Sequence, residues 1–111
     1  MSTLWAVRLG RRAELDYVDA LDWTAKSFGK SQAATYAETI SQALQALKDG
    51  PEIPGSKRRD EIHPGIWALH IARSGRKGRH FIVFRVSEER AIDVLRLLHD
   101  SMDLTRHLQT R

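Results

Sequence analysis

With 111 residues, 41% of them hydrophobic and 29% charged, the chain has room for one domain, spanning 1–111, and the make-up of a folded protein rather than a disordered one. It contains no cysteine, which excludes disulfides and thiolate chemistry and suits a reducing compartment. Its net charge of +4 is modest, so an anionic partner is indicated only where that charge is concentrated.

The opening Met1 to Arg8 lacks a basic segment followed by a long apolar run, so no signal peptide is expected. No stretch approaches the roughly 20 apolar residues of a membrane span, and the expected location is cytoplasmic. Leu4 to Leu9 alternates as a strand, with Trp5, Val7 and Leu9 on one face. From Arg11 the period lengthens: Tyr17, Val18, Leu21, Ala25 and Phe28 form an apolar helical stripe, with Asp16, Asp19, Asp22 and Lys26 on the wet side. Gly29 is the expected stop. Ser31 is the expected N-cap of a second helix carrying Ala33, Tyr36, Ala37, Ile40, Ala43, Leu44 and Leu47, ended by Gly50-Pro51. So short a connection makes the helices antiparallel.

Residues 51–65, with three prolines and two glycines, read as a surface loop. Beyond it Trp67, Leu69 and Ile71 alternate with Ala68, His70 and Ala72. Arg73 to Arg79 is a basic, glycine-bearing turn, and His80 to Val86 is an almost wholly apolar run suited to a central strand. Glu88-Glu89-Arg90 makes the next turn, Ile92 to Leu98 a last strand, and the polar tail has Met102, Leu104 and Leu108 available to dock. The predicted class is α+β: an N-terminal strand, an antiparallel helical hairpin, and a three-stranded antiparallel meander with the hairpin on one face. The first strand would pair inside that sheet, and the opposite face would need a cover.

The charge is not spread evenly. Residues 57–85 hold eight Lys/Arg against two Asp/Glu, while the flanking segments are close to neutral. Such a block is either a solvated hairpin or the footprint of an anionic partner. Lys57-Arg58-Arg59 is its densest run, and as a lone tripeptide it reads as solvated.

The run Ala91 to Asp103, an apolar strand followed by Arg96, two leucines, His99 and Asp103, resembles the signature of ParE-type toxins of the RelE/ParE superfamily. His80 to Val86 is similar to their preceding strand, and Leu9 to Leu15 with Phe28-Gly29 to their first helix. Phe84 stands where these toxins often carry Tyr, Gly10 replaces a frequent hydroxyl residue, and the Arg73 to Arg79 turn is longer than a minimal hairpin. The resemblance implies a toxin of a type II toxin–antitoxin system that inhibits DNA gyrase by binding and is neutralised by a ParD-like antitoxin in a hetero-oligomer. Its alternatives are a ribosome-dependent mRNA endonuclease of the RelE branch and an inactive binding module.

Cleaving RNA through its 2′-hydroxyl needs a base, an acid, cations on the phosphate and usually an aromatic plane for the base. Arg73, Arg85, Arg96 and His99 are the candidates for that chemistry. Beyond Phe84 the chain has no aromatic residue, which favours a non-enzymatic toxin. His99, ending a strand, reads first as a hydrogen-bonded structural residue and second as a general base. Arg96 must find a partner, either Asp103 or Asp93 within the chain or an acidic partner segment.

Candidate target contacts are Arg58, Arg59, Arg79, His99, Met102 and Asp103. Candidate antitoxin contacts are Trp67, Phe81, Phe84, Arg85, Leu95 and Arg96, on the premise that strands apolar on both faces leave one face open to an amphipathic helix or added strand. The five histidines show no ligand spacing, so no metal or other cofactor is expected, nor sequence-specific nucleic-acid binding.

Overall fold

The computed structural model describes residues 4–87 and 89–108; Met1 to Thr3 and Glu88, which enter the expectations above, lie outside the described residues. The element order is β1 (Ala6–Leu9), α1 (Arg11–Phe28), α2 (Lys30–Ala46) with a 3-10 turn at Leu47–Asp49, β2 (Ser56–Arg58), β3 (Ile66–His70), β4 (His80–Ser87), β5 (Ala91–His99) and α3 (Leu104–Leu108). These form an α+β fold with a five-stranded sheet ordered β1-β5-β4-β3-β2. The expected meander is its antiparallel β3-β4-β5 part. The first strand joins this sheet as expected, at its edge and parallel to β5, with Ala6 opposite Ala91. The helical hairpin provides the crossover that a parallel pairing requires.

Part of the expected 51–65 loop is the edge strand β2, paired antiparallel with β3. The helices meet at Gly29, whose φ of 99° lies in the left-handed region open to glycine. Gly29 ends α1 and also precedes α2 directly, so Ser31 falls inside the second helix and caps nothing.

The stripe of α1 is rotated from the one expected. Its buried residues are Ala13, Ala20 and Thr24, with Tyr17 and Leu21 packed beside them, whereas Val18 and Phe28 are exposed. Small side chains let the helix backbone approach the sheet closely. The main core lies between this hairpin and the sheet, around Ile40, Leu47, Leu69, Ile82, Phe84, Ile92 and Val94. Each such fully buried large side chain contributes roughly 1.5–3 kcal/mol over its exposed state.

The opposite face is not left open. Ile62, from the loop before β3, and Leu104, from α3, join Ile66, Val83 and Leu98 in a second buried cluster, with Phe81, Leu95 and Leu108 packed against it. The chain thereby supplies a cover that was expected from a partner. Phe84, expected at an antitoxin contact, is wholly buried in the main core, stacked on Trp67, and offers no surface.

Candidate functional site

The C-terminal ends of α1 and β5, the middle of α2 and the turn before β4 converge on a groove of about 1360 Å³. One wall carries Trp23 and Phe28, which are 62% and 65% exposed and pack edge to face at 5.6 Å between ring centres. Trp23 stands one turn from Asp19 on the helix surface, because positions four apart are neighbours, and two turns from Asp16 on the same side. A large aromatic side chain among acids on the wet side is the sequence signal for this wall, and apolar periodicity alone does not single it out. The far wall is formed by Arg76 to His80, and the floor by Tyr36, Arg96, Leu97 and His99.

The floor is held by a hydrogen-bonded network whose proton positions follow from its donors. The Arg79 backbone N–H donates to the Tyr36 hydroxyl at 2.9 Å, and that hydroxyl lies 2.6 Å from His80 Nδ1. With its oxygen accepting from Arg79, the Tyr36 O–H donates a hydrogen bond to Nδ1, which keeps the His80 proton on Nε2. Burial, then the neighbouring His99, pulls the His80 pKa down to about 4, and burial raises that of Tyr36. His80 is neutral at pH 7. Its ring meets His99 edge to face at 5.3 Å. His99 Nδ1 accepts the Ser101 N–H at 3.1 Å and lies 2.7 Å from the Ser101 hydroxyl, so its Nδ1 is occupied locally.

Asp100 ties the same corner together. Its carboxylate accepts from Arg79 Nε at 3.0 Å and from His70 Nε2 at 2.9 Å, and its pKa is lowered to about 2 by those two bonds. His70 Nδ1 accepts the Ala72 N–H, which fixes the Nε2–H tautomer.

Arg96 has found a partner that local sequence could not indicate. It pairs with Asp16 of α1 at 2.8 Å, both side chains being about 15% exposed, and not with Asp93 or Asp103. Asp16 also accepts the Leu97 N–H at 2.9 Å. This lies beside an irregularity in the β4–β5 ladder, where the partner of Val83 is Arg96 and that of Phe84 is Val94. Asp93 instead faces Arg8 at 2.7 Å and Arg85 at 3.8 Å.

The sequence candidates are therefore dispersed. Of Arg73, Arg85, Arg96 and His99, only Arg96 and His99 line the groove, and both are engaged locally. Arg85 sits with Asp93 on the strand side opposite Ile66. Among the target candidates, Arg79, His99 and Met102 line the groove, whereas Arg58 and Arg59 pair with Asp60 and Glu61 near β2. Asp103 accepts the Arg106 N–H near the start of α3. Of the antitoxin candidates, Trp67 is half-buried beneath Arg58, and Phe81 and Leu95 pack on the second core; only Arg96 reaches the groove. Trp23, Phe28 and Tyr36 were not among the site candidates, and they bring from the N-terminal helices the aromatic planes that the segment beyond Phe84 lacks. Among the described residues no group of three or more His, Asp or Glu is placed to hold a metal ion, and no helix is long and apolar enough to cross a membrane.

Residues 7–104 match the family described as ParE toxin of type II toxin-antitoxin system, parDE. The chain is 32% identical over 108 residues to Toxin ParE1 of Mycobacterium tuberculosis, covering 97% of this chain and all of that one. It is 30% identical over 102 residues to Toxin ParE1 of Caulobacter vibrioides, covering 91% and 95% of the two chains. A chain of the chromosomal ParDE system from P. aeruginosa superposes with a TM-score of 0.71 at 20% identity, over 88% of this chain and 98% of that one. A chain of the RelBE2 toxin-antitoxin complex from Mycobacterium tuberculosis superposes at 0.54 and 19% identity, over 87% and 99%.

Proposed function

Because this chain belongs to the ParE toxin family of type II toxin–antitoxin systems, we propose that it acts by binding rather than by turnover, inhibiting DNA gyrase until a ParD-like antitoxin occupies its groove. The observation that carries the reading is the groove itself. Trp23 and Phe28 are large, exposed and mutually packed, which is unusual for a surface with no occupant, and aromatic anchors dominate binding energy at interfaces. An amphipathic antitoxin helix about 10 Å across suits a groove of this size better than it suits the opposite sheet face, which Ile62 and Leu104 already cover.

The non-enzymatic reading is supported by how the reactive groups are spent. Arg96 is neutralised by Asp16, Arg79 by Asp100, and His99 Nδ1 is engaged by Ser101. The runner-up, an endonuclease of the RelE branch, gains from the presence of Trp23, Phe28 and Tyr36 beside His99 in one groove. Supercoiling by purified gyrase and translation-coupled mRNA cleavage, assayed side by side, discriminate between them. Loss of supercoiling without cleavage is expected; cleavage, or no effect in either assay, overturns the proposal.

A further inference from the structure

The basic block at 57–85 changes character once its partners are known. Of its eight cations, four face carboxylates: Arg58 with Asp60, Arg59 with Glu61, Arg79 with Asp100 and Arg85 with Asp93. Among the described residues the other four, Lys57, Arg73, Arg76 and Lys77, have no ion pair, and three of these lie in the one turn between β3 and β4. That turn is tight. The Arg76 N–H donates to the Arg73 carbonyl at 3.0 Å, with Ser74 at φ 54° and Gly75 at φ 79° between them. A serine held in the left-handed region costs of order 1 kcal/mol, and such strain tends to mark functional turns.

Arg73 and Arg76 line a small recess of about 120 Å³, separate from the groove, whose polar lining is completed by Thr39, Gln42 and Ser74. No Asp or Glu lines it. Arg76 is held there by neutral acceptors only, Nε on the Thr39 hydroxyl at 2.9 Å and one terminal nitrogen on the Thr35 carbonyl at 3.1 Å, so its charge is positioned but not neutralised. Arg73 donates to the Pro54 carbonyl at 3.1 Å, while its Nε is buried with no acceptor at all. A buried guanidinium nitrogen without an acceptor is costly. An ordered water would satisfy the hydrogen bond and leave both charges unanswered.

We infer that the Arg73–Arg76 recess is an anion site that takes a phosphate group. A recess this small admits a single terminal group and no helix or strand of a partner. Two guanidiniums reaching one recess from separate positions offer more charge and more donors than a carboxylate, satisfied by one guanidinium fork, can use. A phosphate dianion carries oxygens enough for both. The site is independent of what fills the groove, although Arg76 and Thr39 line both spaces, so a bound phosphate would border any groove occupant.

The test uses the full chain alone, with side-chain arginine Nε–H NMR correlations followed during titration with inorganic phosphate, against sodium chloride of matched ionic strength. Arg73 and Arg76 Nε–H signals are expected to shift saturably with phosphate and not with chloride. R73Q should weaken binding about tenfold or more, the loss expected for a charge-assisted bond. K77Q, which lies on the groove and outside the recess, should leave it within about twofold, as screened surface charges do. R76Q also removes a tie to α2, so R73Q, with fold checked by circular dichroism, carries the conclusion. A nucleoside monophosphate arm identifies the source: equal affinity assigns the site to the phosphate group alone, and tighter binding assigns it to a nucleotide whose base reaches the groove. Absence of saturable shifts, wild-type affinity in R73Q, or capture of an acidic peptide without phosphate binding overturns the inference. None of these outcomes depends on the gyrase or antitoxin assays.

Discussion

Asp16→Ala removes the acceptor on which three donors converge: Arg96 Nε at 2.8 Å, an Arg96 terminal nitrogen at 3.2 Å and the Leu97 N–H at 2.9 Å. The Arg96 side chain, only 15% exposed, would be left charged and largely out of water. Breaking such a pair by deleting one member costs about 3–5 kcal/mol, because the surviving ion stays desolvated. A domain of this size has roughly 5–15 kcal/mol in total, so the substitution should remove about a fifth or more of the stability. Urea denaturation of wild type, D16A, R96A and the double variant measures the effect and, through the cycle, the coupling. The midpoint of D16A should fall sharply with an unchanged slope, and the double variant should be less damaged than the sum of the singles. A loss under about 1 kcal/mol for D16A, or a coupling near zero, would refute the view that this bridge pins α1 to β5.

Stability should fall on acidification between pH 6.5 and about 4: His80 has a lowered folded pKa of about 4, so the unfolded chain binds more protons across that interval and is favoured as pH drops. Urea midpoints at pH 7.5 and 4.5 check this, and the difference should shrink in H80Q. Gly78→Ala would bring a Cβ to 2.5 Å from Ile71 Cγ1, and since Ile71 is 1% exposed it has no room to withdraw; a loss of about 1–3 kcal/mol is expected in thermal unfolding. Trp23→Ala should change stability by less than about 0.5 kcal/mol, as the ring is mostly in solvent. The same variant should weaken the complex with the cognate antitoxin by about 2 kcal/mol in calorimetry if that partner fills the groove.

The sheet and the hairpin were legible because their periods are clean: Trp67, Leu69 and Ile71 alternate, and Ile40, Ala43 and Leu47 recur at helical spacing. β2 was not legible, since Ser56-Lys57-Arg58 carries no apolar alternation and owes its pairing to β3. The face of α1 misled for a related reason. Hydrophobicity selects the largest side chains, whereas the positions nearest the sheet are Ala13, Ala20 and Thr24, chosen for smallness. The site suffered most, because its groups meet across long separations. Arg96 and Asp16 are 80 positions apart, and Tyr36 and His80 are 44 apart, so no local pattern announces either pair. The single histidine and arginine of the C-terminal signature were visible, but not that their neighbours would already occupy them.

The parallel pairing of β1 with β5 joins Arg8 to Asp93 across 85 positions. Closing so long a loop must precede the contacts that reward it, which slows folding. During synthesis the first strand and both helices leave the ribosome before their sheet exists, and β5, which gives the groove floor Arg96, Leu97 and His99, is the last strand of it to be made. A chain interrupted before Ala91 therefore has neither its edge strand seated nor its groove floored. If the groove carries the toxin's action as proposed, the topology itself delays that action until translation is almost finished, leaving an interval in which an antitoxin can bind.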